Sequence, residues 1–290
     1  MESITDPQQL AASLRSTGYL PDEGIATAAY LALRMGRPLF LEGDAGVGKT
    51  SLALALAAAL DIPMVRLQCY EGIDASQALY DWDFPRQVLH LRAAETVGVT
   101  DADQLEHSLY DRRFLIARPI LQAIEQSPCV LLVDEVDRAD DEFEAFLLEV
   151  LADSAVTIPE LGTITAATPP LVVLTSNRTR EVHDALKRRC LYHWIGHPTF
   201  DREVAIIRGR LPEITGQLAR DVAGAAQKLR TADLLKPPGV SESLDWAQAL
   251  HLLGAQSLDR DRAAATLGAV LKYQEDADRI RDTVLAELVG

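Results

Sequence analysis

The run GDAGVGKT, Gly43–Thr50, is where this chain is best equipped to do chemistry. It satisfies the spacing G-x-x-x-x-G-K-[ST] at every fixed position. Average residue usage makes a chance match in 290 residues a roughly one-in-a-hundred event. Glycine lets such a loop turn its N–H groups inward, where they form a cradle for phosphate oxygens. A helix that starts at the end of the loop adds partial positive charge at the same point. The phosphate-binding set is therefore Gly43, Asp44, Ala45, Gly46, Val47, Gly48, Lys49, Thr50 and Ser51. Lys49 is expected on the β- and γ-phosphates and the Thr50 hydroxyl on Mg²⁺.

Three further runs supply what a triphosphate reaction needs next. Val130–Glu135 reads VLLVDE, a buried strand that delivers Asp134 to the metal and sets Glu135 to activate an attacking water. A phosphotransferase has no use for a water-activating acid there, so the pair favours hydrolysis. Leu171–Asn177 reads LVVLTSN, and Asn177 at its end is placed to orient the water or touch the γ-phosphate. Ser176 and Asn177 are equally good turn formers. Ala185–Cys190 reads ALKRRC. Its two arginines either relieve a helix C-terminal dipole, or one of them reaches the γ-phosphate of a neighbouring subunit as an arginine finger. Arg189 is the favoured finger over Arg188, because it directly precedes a strand.

Regular secondary structure flanks each of these runs. Asp22–Met35 has the composition of a helix, Pro38–Leu41 of a strand, and Lys49–Leu60 of a second helix, so the glycine-rich turn lies between strand and helix. Met64–Gln68, Cys129–Val133, Leu171–Thr175 and Leu191–Ile195 are further strands; Arg118–Gln126, Asp141–Asp153 and Glu181–Arg188 are helices. Glu71–Val99 reads as a short helix with an insertion, and Val156–Ile164 as a hairpin. Alternating strands and helices, with the strands as continuous apolar runs, imply a parallel sheet covered on both faces. The expected fold class is thus an α/β three-layer sandwich with a five-stranded parallel sheet. After about Pro198 only Ala- and Leu-rich helical segments follow, so the expected domains are a nucleotide-binding core over 1–197 and a small all-helical domain over 198–290.

Composition narrows the partners. With 48% hydrophobic and 24% charged residues the chain can build a sizeable core. A net charge of -15 repels phosphate backbones and makes nucleic acid a poor main partner. The longest apolar stretch, Leu52–Leu60, is too short to span a bilayer. Met1–Leu20 is polar and mixed in charge, which predicts no secretory signal. Cys69, Cys129 and Cys190 show no paired spacing and are expected as reduced thiols in a cytoplasmic protein. No guanine-reading N-K-x-D run is present, which favours ATP.

Taken in order, the phosphate loop, acid pair, Asn-tipped strand, helix-end arginine and helical tail resemble the AAA+ ATPases. The resemblance implies ATP and Mg²⁺ as ligands, Lys49 and Thr50 on phosphates and metal, Asp134 and Glu135 on metal and water, Asn177 as the γ-phosphate sensor and Arg189 as the finger. It also implies a homo-oligomeric ring, commonly a hexamer, that remodels a protein client. The stretch Arg66–Arg92 is similar to the MoxR group, and within it to a subgroup accompanying molybdenum hydroxylases of the aerobic carbon monoxide dehydrogenase type. Such members are maturation ATPases that work with a partner bearing a von Willebrand factor A domain. Trp82 and Phe84 in the clade insertion would grip the client or anchor the insertion to the core. One departure stands out: Pro238–Leu250, where many AAA+ lids carry a sensor arginine, contains no Arg or Lys, and Ser243 falls near that position. A nucleotide-dependent switch, in which binding rather than turnover matters, is the alternative this departure supports.

Overall fold

The computed structural model describes residues 4–97 and 102–283. In chain order its strands are β1 (Leu39–Glu42), β2 (Met64–Gln68), β3 (Tyr80–Trp82), β4 (Leu115–Ala117), β5 (Val130–Asp134), β6 (Ala155–Ile158), β7 (Gly162–Thr165), β8 (Leu171–Ser176) and β9 (Leu191–Trp194). Five of them form the expected parallel sheet, in the order β2-β5-β8-β1-β9. The sequence pattern explains the order. β1, β5 and β8 are buried at every residue, as strands covered on both faces must be, and they occupy the centre. β2 and β9 alternate in burial and lie at the edges.

Two antiparallel ribbons stand apart from the sheet. β6 and β7 are the expected hairpin, which re-enters β7 through Gly162 at φ 81°. β3 and β4 form a second ribbon, which pairs Tyr80–Trp82 of the Glu71–Val99 stretch with Leu115–Ala117 beyond it. The Glu71–Val99 stretch resolves into a helix at Ala75–Leu79, β3, and a helix at Phe84–Val97; residues 98 and 99 of that expectation lie outside the described residues. Trp82 is half-buried and packs edge-on against Tyr110, 5.3 Å between ring centroids, whereas Phe84 is 66% exposed. Trp82 also packs against the core of the sheet unit, and Phe84 does not.

The chain folds as two compact units that are not contiguous in sequence. One comprises Thr27–Leu41 and Leu56–His193. Its core gathers Phe40, Leu67, Ile120, Leu131, Val133, Leu147, Val156, Leu174 and Leu186. The helix Asp141–Asp153 buries Phe143, Leu147 and Val150, and starts on Asp140, whose carboxylate accepts from the Phe143 N–H at 2.9 Å. A cap of this kind contributes about 1 kcal/mol.

The other unit comprises Ile4–Ala26, Glu42–Ala55 and the chain from Trp194 on. Its core is helical, with Ile207, Leu218, Val222, Leu229, Leu250, Leu267 and Ile280 around a fully buried Trp246. The Trp246 indole N–H donates to the Thr266 hydroxyl at 2.7 Å, which satisfies its one polar atom. Chain order alone places the division at 197 and 198; the compact unit also takes in the phosphate loop and an N-terminal helix, Pro7–Ser16, that the sequence reading did not expect. Residues 1–3 and 284–290 of the expected domains lie outside the described residues. Among the described residues no helix is long and apolar enough to cross a membrane. All three cysteines are buried free thiols, and burial pushes Cys129 up to about 11 and Cys190 up to about 12, far from a reactive thiolate.

Candidate active site

The phosphate loop takes its shape from close backbone packing. A side chain at Gly43 would place its Cβ 2.2 Å from the Ile195 carbonyl oxygen, so only glycine lets the chain leave β1 there. Gly46 has φ 76°, a left-handed conformation that costs other residues about 1 kcal/mol or more. The helix Lys49–Leu60 begins as expected, with its first bond from the Leu52 N–H to the Gly48 carbonyl at 3.1 Å. Lys49 is buried, and its ammonium donates to the carbonyls of Gly43 at 2.8 Å and Asp44 at 2.7 Å. The cation thus lies against the loop it is expected to serve.

Beside the loop, within the same unit, is a pocket with apolar walls from Leu20, Val47, Ile206 and Leu244. Arg202 and Arg210 line it as well. Arg202 clamps one wall by donating to the Leu20 carbonyl at 2.8 Å and to Asp22 at 2.7 Å. Tyr19 is buried there, and desolvation holds its phenol well above the usual tyrosine range. Neither this pocket nor Arg202 is visible in the motifs, because its walls come from segments nearly 200 residues apart in sequence.

His197 sits near the loop, with Nε2 3.4 Å from an Asp44 carboxylate oxygen and Nδ1 buried with no hydrogen-bond partner among the described residues. Burial and then the Arg230 charge push its pKa below the ordinary 6.5, against the opposing pull of Asp44, Glu203 and Glu242. An imidazole held neutral in the fold but free to protonate when unfolded gives stability that is full above about pH 6.5 and is lost as pH falls towards the folded pKa. We expect the urea midpoint to drop over that window and the drop to shrink in His197→Asn. An equal drop in parent and variant would assign it to other groups.

The acid pair belongs to the other unit and is more heavily tied than the sequence implies. Asp134 is 3% exposed at the tip of β5. One carboxylate oxygen accepts from the Thr175 hydroxyl at 2.6 Å and the other from the Arg66 guanidinium at 2.6 Å. The Thr175 oxygen in turn accepts from the Glu135 N–H at 2.9 Å. Glu135 adopts φ 55°, a strained left-handed conformation for a side-chain-bearing residue. Its carboxylate accepts from Asn177 Nδ2 at 3.2 Å and from Gln68 Nε2 at 3.1 Å. The structure therefore brings Asp134, Glu135 and Asn177 together, as adjacent parallel strands β5 and β8 require. A cleft of about 860 Å³ opens beside Glu135 and Asn177, lined also by Glu71, Asp137 and Asp140.

Four residues of this cluster escaped the sequence reading. Arg66 and Gln68 share one face of β2, which pairs with β5 so that Gln68 lies opposite Asp134. Strand alternation would place them together but not choose their neighbour. Thr175 is the first polar side chain in an apolar run. Asp137 is buried and accepts from the Asn177 N–H at 3.2 Å and the Thr179 N–H at 2.8 Å, which pins the turn carrying Asn177. The neighbouring thiol of Cys69 is driven up to about 12 by burial and then by the Asp134 charge.

Arg188 and Arg189 end the helix Asp184–Arg189 and both are exposed. Arg189 donates to the Leu148 carbonyl at 2.6 Å. Arg37 grips the end of the same helix, donating to the carbonyls of Arg188 at 2.8 Å and Arg189 at 3.1 Å. That grip fixes where both arginines project.

An open parallel sheet with a glycine loop after a central strand is the fold of P-loop nucleoside-triphosphatases. Residues 38–190, more than half the chain, match the AAA domain family of the dynein-related subfamily, and the chain belongs to that family. Among curated relatives it is 23% identical over 212 residues to the gas vesicle ATPase GvpN1 of Halobacterium salinarum, a match covering 68% of this chain and 58% of that protein. It is 22% identical over 276 residues to the gas vesicle ATPase GvpN of Haloferax mediterranei, covering 89% of this chain and 75% of the relative. The first match thus spans little more than half the relative's length. Among solved structures, a point mutant of RuvB from Thermotoga maritima superposes with a TM-score of 0.50 at 14% identity, covering 98% of this chain and 78% of that one. That likeness concerns the fold alone.

Proposed function

We propose that this protein binds ATP with Mg²⁺ and hydrolyses it to remodel a protein client. The observation that carries this reading is the Asp134–Glu135 pair, with Glu135 held by Asn177 and Gln68. In this reading the amides of Gly43–Thr50 and Ser51, with Lys49, take the phosphates, and the apolar pocket beside the loop seats the adenine. Thr50 and Asp134 would hold the metal. An oxygen-only donor set suits a hard cation, which on Asp134 would take the place of the Arg66 guanidinium now 2.6 Å away. Mg²⁺, when bound, neutralises charge developing on the phosphate oxygens. Glu135 accepts the proton of the attacking water, and Asn177 fixes the orientation of that carboxylate. Arg189, or Arg188 beside it, completes the site of a neighbouring subunit in a homo-oligomeric ring, a hexamer in our reading.

The relatives named as ATPases support turnover at the level of the family. The finer reading rests on the Arg66–Arg92 resemblance: a MoxR-type chaperone in the cytoplasm, maturing a molybdenum hydroxylase of the carbon monoxide dehydrogenase type with a von Willebrand factor A partner. The exposed Phe84 is the residue offered to that client. The functional division is a core over 1–197 and a lid over 198–290.

A switch that needs only ATP binding is the second reading, favoured by the lid segment's lack of a cation. Glu135→Gln separates the two. Turnover should fall about 10² to 10⁴-fold while ATP binding is kept. In the motor reading client maturation is lost with it; maturation that survives in this variant would establish the switch.

A further inference from the structure

The lid segment without a sensor arginine is not without a tie to the phosphate loop. The helix Val240–Leu252 meets that loop main chain to main chain, within one compact unit. The N–H groups of Val240 and Ser241 donate to the Gly46 carbonyl at 3.0 and 3.2 Å. These are first-turn amides with no partner inside their own helix, so the loop carbonyl supplies what the helix lacks. The approach is tight enough to demand glycine at 239, while Gly46 is glycine for its φ of 76°. A Cβ at Gly239 would lie 2.6 Å from the Ala45 carbonyl oxygen, and one at Gly46 would lie 2.8 Å from the Glu242 carboxylate. Glu242 accepts from the Gly239 N–H at 2.9 Å, closing the turn.

A buried network behind the turn sets its position. Arg230 forks Glu203, with distances of 2.6 and 2.7 Å, and its Nε donates to the Pro238 carbonyl at 2.8 Å. Ser243 donates to Glu203 at 2.8 Å. Glu203 and Ser243 are fully buried, and the Arg230 side chain is 8% exposed. Three helices, Phe200–Arg210, Gly216–Thr231 and Val240–Leu252, are joined through this one carboxylate. Arg230 is committed to it, with its guanidinium divided among Glu203, Ser243 and Pro238, and so does not stand in for the missing arginine on a phosphate.

We propose that this chain couples its C-terminal helices to nucleotide through the Gly46 carbonyl, with Arg230 as the positioning residue, in place of a lid arginine on the γ-phosphate. The inference rests on the reading that Gly43–Thr50 holds a triphosphate. A contact on the loop's main chain changes the shape of the whole phosphate cradle. It therefore acts equally on every ligand that fills the cradle, with or without a γ-phosphate and with or without a base.

The test compares dissociation constants of ADP, a non-hydrolysable ATP analogue and inorganic tripolyphosphate for the parent, Gly239→Ala and Arg230→Gln. Losing two amide bonds at the loop should weaken all three ligands by about tenfold in both variants, with their ratios unchanged. Weakening of the ATP analogue and tripolyphosphate without ADP would place the contact on the γ-phosphate. Weakening of the two nucleotides without tripolyphosphate would place it on the base pocket, which Val240 and Ser241 also line. Unchanged binding in both variants would mean no coupling; any of the three results overturns the proposal. Should Arg230→Gln fail to fold, with a buried Glu203 left unpaired, Gly239→Ala decides alone, since it pushes on the contact without touching the ion pair. A parent that binds none of the ligands would instead sink the nucleotide reading itself.

Discussion

Lys49→Ala should bind ATP at least about 100-fold more weakly than the parent and show no turnover at working ATP concentrations. A charged hydrogen bond is worth about 1.5–3 kcal/mol, and the lysine is expected to contact two phosphates. In the folded chain the ammonium is already gathered over the loop, on the carbonyls of Gly43 and Asp44, and needs little reorganisation to meet a ligand there. Thermal melting supplies the readout. The parent should gain stability with added ATP and Mg²⁺ in proportion to the logarithm of ligand concentration, and the variant should not. Melting without ligand serves as the control for a damaged loop. A variant that still takes up and cleaves ATP like the parent would remove the basis of every role assigned to Gly43–Thr50.

Removing the arginine finger should cost about 10³ to 10⁵ in turnover with little change in ATP affinity. Two residues compete for the role. Arg189 donates to the Leu148 carbonyl within its own subunit, a neutral acceptor that a phosphate would readily replace, while Arg188 is exposed at the next position back. Arg189→Ala should carry the loss and Arg188→Ala should not. Mixing supplies the proof that the residue acts across subunits. An Arg189→Ala subunit retains Lys49, and a Lys49→Ala subunit retains Arg189, so rings assembled from both should recover turnover that neither has alone. If Arg188→Ala bears the loss, the assignment moves by one residue; if neither does, the helix Asp184–Arg189 carries no finger and its arginines serve its C-terminus.

Local patterns made much of this protein legible. The spacing from Gly43 to Thr50, the apolar runs of β1, β5 and β8, and the acids closing Val130–Glu135 are written in adjacent residues, and short-range sterics and burial read them directly. Asp6 before Pro7 is a further local signal, a strong helix start, and the Asp6 carboxylate accepts from the N–H groups of Gln8 and Gln9 at 2.8 and 2.9 Å. Trp82 and Phe84 mark the boundary of what pattern can tell. They are two residues apart and chemically alike, yet one packs against Tyr110 and the other faces solvent.

Adjacent residues alone raise the expectation of phosphate chemistry, through a glycine-bent loop at Gly43–Thr50 and an acid pair at the end of Val130–Glu135. How those groups are held follows from contacts between distant parts of the chain. Arg66 reaches Asp134 across 68 positions, Thr175 across 41, and Arg230 joins Glu203 and Ser243 from three separate helices. The reason is physical. Backbone shape follows from nearest neighbours, whereas the partner of a buried charge is whichever group the packing of distant elements brings within hydrogen-bond reach, and no spacing along the chain encodes that choice.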